Sequence, residues 1–287
     1  MKKYIGILTL GLLVGGYQQV QAQYSRHYFN QHEVAVSVKA GMLQNYGSLP
    51  SQISSDLKFN TAIGLQYDYY LSRQWSLGIG AQYAMYTTDF TGSNLTGQSE
   101  EIDSDNQKFI FSYDGKTFKE QWKVNQVNIP LTVQYVGEAE TAIYVRTGVQ
   151  FSLMMSSKPT VTWNNLQTSG YFPAYNLLLD EALLYAGFGF QEKVEHKPDL
   201  ELKDRWAWIA EVGVKHNISE NQNLYVGLYF DLGLNNQKPS INETKERILV
   251  YKPELDNALE YNSIQESSKA VFKNYSFGIQ LRYAIGL

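Results

Sequence analysis

The chain has 287 residues, 24 Lys and Arg against 28 Asp and Glu, and a formal net charge of -4. That balance leaves no basic footprint for nucleic acid. The absence of cysteine excludes disulfides, thiolate metal sites, thiol nucleophiles and a diacylated lipoprotein anchor.

At the N-terminus, Lys2 and Lys3 precede an apolar run over residues 5–14 that is too short to cross a bilayer, and Val20-Gln21-Ala22 follows. This reads as a signal peptide over residues 1–22, with the mature chain starting at Gln23, in preference to a short retained anchor. Eight stretches then alternate apolar residues with small or polar ones at a period of two: 33–44, 57–71, 75–88, 121–136, 141–155, 205–218, 223–235 and 271–285. In the second, Phe59, Thr61, Ile63, Leu65, Tyr67, Tyr69 and Leu71 share one face. In water, strands of this kind bury their apolar face against a second layer, and no helical periodicity remains in the chain to supply one. Closing the sheet on itself, with the apolar faces toward lipid and a polar lumen inside, satisfies every strand at once. Each stretch reaches the ~9–11 residues a tilted strand needs to cross the hydrocarbon.

The connections alternate in length. Residues 72–74, 137–140 and 219–222 are tight, whereas 45–56, 89–120, 156–204 and 236–270 are long. The pattern predicts an all-β fold: an eight-stranded antiparallel up-and-down transmembrane β-barrel with four long extracellular loops, both termini periplasmic, formed by residues 23–287 in the outer membrane of a Gram-negative bacterium. The bias toward tyrosine, 22 residues, suits a lipid–headgroup boundary. Tyr67, Tyr69, Trp75, Tyr135 and Tyr283 are expected at one rim, and Trp122, Trp206 and Trp208 at the other. Asp68, Arg146, Glu211, Lys215, Asp231 and Arg282 fall on the inward face. An eight-stranded lumen is just wide enough for side chains to fill, so these three acids and three bases are read as a paired plug rather than the lining of a pore. Pro130 lacks a ladder donor and predicts a local irregularity in its strand.

The long connections hold four features. Glu100-Glu101-Ile102-Asp103-Ser104-Asp105-Asn106 is acidic but lacks the glycine and distal glutamate of a calcium loop, and is read as solvated. Asp114-Gly115, between apolar runs, reads as a type I′ hairpin turn, so that the flanking strands rise above the membrane. Glu195-His196-Lys197-Pro198-Asp199 is the one cluster that could serve a loop-borne hydrolase. The other histidines (His27, His32 and His216) do not accompany it, and no catalytic or metal-binding residue is assigned. The fourth feature runs from Tyr171 to Phe190 and includes Leu177, Leu178, Leu179, Leu183, Leu184, Tyr185 and Phe188. It is too apolar for a segment that only meets water. It either packs over the barrel mouth or docks a partner.

Several strands carry a family resemblance. Val127-Asn128-Ile129-Pro130-Leu131-Thr132-Val133-Gln134-Tyr135, the neighbouring Tyr144-Val145-Arg146-Thr147-Gly148-Val149, the turn around Ser72-Arg73-Gln74 and the closing Asn274-Tyr275-Ser276-Phe277-Gly278-Ile279 resemble the small Bacteroidetes outer-membrane barrels of the PorT-like group. The resemblance covers the barrel strands and not the long loops, and it brings no catalytic residues. Together with the long loops, their apolar segment and the absence of catalytic markers, it points to a non-catalytic subunit of a surface complex concerned with protein secretion or outer-membrane protein assembly, without a cofactor. Outer-membrane lipid, lipopolysaccharide and a protein are the expected partners. The alternative is a small porin or an adhesin-like barrel with ligand-binding loops.

Overall fold

The computed structural model describes residues 30–181, 183–198, 202–238, 247–255, 258–266 and 270–287. The expected signal peptide, His27 and Asp199 lie outside these residues. The strands are β1 (His32–Asn45), β2 (Ile53–Ser55), β3 (Lys58–Tyr70), β4 (Trp75–Ile102), β5 (Lys108–Val136), β6 (Thr141–Phe172), β7 (Leu177–Leu179), β8 (Gly189–His196), β9 (Arg205–Ser219), β10 (Gln222–Gly233), β11 (Leu249–Tyr251), β12 (Leu259–Tyr261) and β13 (Asn274–Gly286). All pairings are antiparallel. The ring β1-β3-β4-β5-β6-β9-β10-β13 closes because β13 pairs with both β10 and β1.

The alternation dictates which way the ring faces. Trp75, Leu77, Ile79, Tyr83 and Met85 of β4 are exposed. In register across the ring lie Val127, Leu131, Val133 and Tyr135, then Ile143, Val145 and Val149, then Val212 and Val214. From Trp75 to Met85 is ten steps of ~3.3 Å, which at the usual ~40° tilt gives a band about 25 Å tall, the height of an outer-membrane hydrocarbon layer. Trp75 and Tyr135 pack edge to face at 5.1 Å at one rim of the band. Phe151 and Trp206, at 4.7 Å, mark the other. Trp122 is not part of that second belt, because it faces inward and is 3% exposed. At Pro130 the ladder to β4 skips two pairs, between Ile79↔Leu131 and Gln82↔Asn128, while Pro130↔Gln150 on the β6 side is kept.

Four loops do not describe the opposite end. β4, β5 and β6 run past the apolar band for about fifteen residues each, roughly 50 Å along the strand, as one continuous sheet. β2, β7 and β8 add to its edges. The expected turn at Asp114-Gly115 is absent: both residues lie inside β5, paired with Thr96 and Leu95. A Cβ on Gly115 would sit 2.5 Å from the Trp163 ring, so this glycine makes room for close packing rather than for a turn. The chain reverses instead at the acidic run. There the Asp103 carboxylate accepts the backbone N–H groups of Asp105 at 3.0 Å and Gln107 at 2.8 Å, and Asn106 takes φ 62°.

The sheet beyond the band has a core of its own. Phe90, Phe109, Phe111, Phe118, Val161, Trp163 and Leu166 pack with Leu249, Leu259, Ile264 and Phe272 of the last long connection. Asn94 and Asn165, at φ 51° and 49°, lie on one row, flanking Lys116 from either side of β5. At that line the buried phase of all three strands slips by one residue, from Phe118 and Trp163 below to Gly115 and Leu166 above. Asparagine tolerates this left-handed backbone better than most residues. The lobe is thus a creased sheet whose apolar face is covered by residues 247–255 and 258–266.

Candidate functional site

The candidate residues fall in two regions, the lumen and the lobe. In the lumen, Arg282 is wholly buried. Its guanidinium lies 3.9 Å from the centre of the Tyr225 ring, donates to Gln134 Oε1 at 2.7 Å and faces Asp68 Oδ2 at 3.6 Å. Arg146 Nη2 donates to Asp68 Oδ1 at 2.5 Å, so one carboxylate sits between two guanidiniums. A Cβ on Gly78 would overlap that same carboxylate oxygen, which is why the facing strand has no side chain there.

The other three expected members are held by residues the alternation did not single out. Glu211 accepts the Tyr144 hydroxyl, and Asp231 accepts Arg205 and, at 3.2 Å, Gln150. Lys215 lies 3.9 Å from Glu33 Oε2 and over the rings of Tyr70 and Tyr225. Glu33 in turn takes the Tyr225 hydroxyl at 2.8 Å and the Asn223 amide at 2.7 Å. Glu33 and Arg205 stand at strand ends, where sequence alternation carries least information. Lys39, over Tyr229 at 5.2 Å, is a further inward cation. A cavity of about 30 Å³ between Lys39, Asn60, Tyr229, Asp231 and Asn274 has room for about one water.

In the lobe, Glu120 is fully buried. Its carboxylate accepts Trp122 Nε1 at 2.6 Å, Ser263 Oγ at 2.5 Å and the Ile264 backbone N–H at 2.8 Å. It therefore ties the covering segment to the sheet. Burial pushes its pKa up to about 7, against the opposing pull of those three hydrogen bonds. On the outward face, burial also raises Asp89, but the ammonium groups of Lys119 and Lys58, both at 2.9 Å, and the Gln121 amide outweigh it and hold the carboxyl below its ordinary range.

The apolar segment is partly packed into the lobe and partly exposed. Tyr171 and Leu178 face each other in the β6–β7 ladder, with the Tyr171 hydroxyl on Asn176 at 2.9 Å. Phe188 is 3% exposed and stacks on Tyr251, edge-on to Phe109. Leu179 and Leu183 pack against the same core. Leu177, Leu178, Leu184, Tyr185 and Phe190 remain exposed, along with Tyr175, and Tyr185 reaches 74%. His196 ends β8 opposite Val161, and Glu195 beside it pairs with Lys193 and Lys197. His32 contacts Tyr67 at 2.6 Å and His216 contacts Thr141 at 2.8 Å, both at the tight-turn rim.

Residues 21–238 match the family described as outer membrane protein beta-barrel domain. The chain belongs to that family. Membership implies the outer membrane of a Gram-negative bacterium, and the lipid-height band is the part of this barrel that meets it. Among solved structures, OprG from Pseudomonas aeruginosa matches at 10% identity over 92% of this chain and 100% of its own, with a TM-score of 0.44. Neisserial surface protein A matches at 10% identity over 88% and 97%, TM-score 0.31. Ail of Yersinia pestis matches at 7% identity over 88% and 99%, TM-score 0.29. No curated protein matches the sequence.

Proposed function

We propose that this barrel is a non-catalytic accessory subunit of an outer-membrane complex, and that its lobe stands outside the cell and docks a protein partner. In this reading the eight-stranded ring is the transmembrane anchor, the tight turns and both chain ends are periplasmic, and the polar lumen conducts nothing. The observation that carries it is that Tyr175, Leu177, Leu178, Leu184, Tyr185 and Phe190 stay exposed while Phe172, Leu179, Leu183 and Phe188 of the same segment pack into the lobe. A soluble surface rarely leaves so many large apolar side chains of one short segment exposed unless something covers them. The resemblance to the PorT-like barrels favours a complex concerned with protein secretion or outer-membrane protein assembly. Affinity purification from native membranes tests the reading. Leu178→Ser with Tyr185→Ser should leave the folded barrel intact and reduce a co-purifying protein at least fivefold. Equal recovery from wild type and variant would overturn it.

A further inference from the structure

Directly above the lipid-facing band, the outward face of β4, β5 and β6 changes character. The last apolar row is Tyr83, Val127 and Leu153, followed by Met85, Asn125 and Ser156, with the Asn125 amide on Ser156 Oγ at 3.0 Å. The next row places Lys123 directly opposite Lys158. Above it come Gln121 with Thr160, then Lys119 with Thr162. Side chains directly opposed on one face have Cβ atoms about 5 Å apart, and like charges there repel. Of the acids on this face, Asp89 is already held by Lys58, Lys119 and Gln121, and Glu195, opposite Thr162, by Lys193 and Lys197. Lys123 and Lys158 are exposed and have no anionic partner among the described residues.

We propose that Lys123 and Lys158 bind a phosphate of an outer-leaflet glycolipid, with Gln121, Thr160 and Thr162 above them facing its sugar hydroxyls. Three features converge on this chemistry. Two exposed lysines stand opposite each other in one row, and neither forms an ion pair among the described residues. The row lies at the level where headgroup phosphates begin. The strip above offers hydroxyl and amide groups, as a saccharide requires, and no apolar side chain. The inference rests on the lobe lying outside the cell. Protease accessibility of the lobe on intact cells tests that orientation separately, and the binding measured here does not depend on any protein partner.

The test is native mass spectrometry of the full barrel released from nanodiscs of phosphatidylcholine containing bisphosphorylated lipid A. Wild type should retain lipid A, and Lys123→Gln with Lys158→Gln should retain at least tenfold less. Lys123→Arg with Lys158→Arg, which keeps both charges, should retain it as wild type does. Dephosphorylated lipid A should bind wild type no better than the glutamine variant binds lipid A. Equal retention by the glutamine and wild-type barrels, or indifference to the phosphates, would overturn the proposal. So would full displacement of lipid A by millimolar inorganic phosphate, which would show that free phosphate, and not the lipid, is the ligand.

Discussion

The Glu120 clamp makes the cover of the lobe sensitive to pH. An ordinary glutamate has a pKa of 4.5, and in the closed lobe this one is pushed up to about 7 by burial. Between those values the closed state binds a proton that the open state does not, so closure is favoured below pH 4.5 and weakens as pH rises toward 7. The difference of 2.5 units, at about 1.4 kcal/mol per unit, is roughly 3 kcal/mol, or about two orders of magnitude in the opening equilibrium. Hydrogen exchange at Ile264, whose N–H donates to Glu120, reads that equilibrium directly. After correction for intrinsic exchange rates, protection at this amide should fall about a hundredfold between pH 4.5 and pH 8. In Glu120→Gln the fall should vanish, because the side chain no longer ionises. A wild-type protection factor that does not change with pH, or the same change in the glutamine variant, would refute the reasoning.

Two further outcomes concern the lumen. Asp68→Ala leaves Arg146 and Arg282 buried without their shared counter-charge and should cost about 3–5 kcal/mol in urea titrations of folding into micelles, more than any surface ion-pair removal. In planar bilayers the wild-type barrel should show no stepwise conductance. A steady unitary current would mean that the polar network lines a path.

The ring was legible because lipid imposes a demand that alternation states plainly: nearly every second residue of 57–71 or 75–85 is apolar, whatever the neighbouring strand does. The lobe was less legible, because its strands have one face on a core and one on water, and nothing in the local sequence marks where lipid ends. Asp114-Gly115 has the composition of a turn, yet Gly115 is there for the ring of Trp163, a contact between strands that are far apart in sequence. The phase slip at Asn94 and Asn165 also breaks the period of two where the lobe strands would otherwise have announced themselves. In the lumen, six charged residues in mid-strand were visible, whereas Lys39, also in mid-strand, was missed. Glu33 and Arg205, at strand ends, were missed too, because their direction is fixed by closure of the ring. In the apolar segment, composition showed that something must be buried, but only the packing of Phe188 against Phe109 and Tyr251 separates the buried residues from the exposed ones.

We place function on the exposed apolar side chains of residues 175–190 and not in the lumen. A photo-crosslinking residue placed at Tyr185 in living cells tests this most directly, with Lys116, exposed elsewhere on the lobe, as the control position. A discrete protein adduct from position 185 and none from 116 is the predicted result. No adduct from 185, or the same adducts from both positions, would contradict the account.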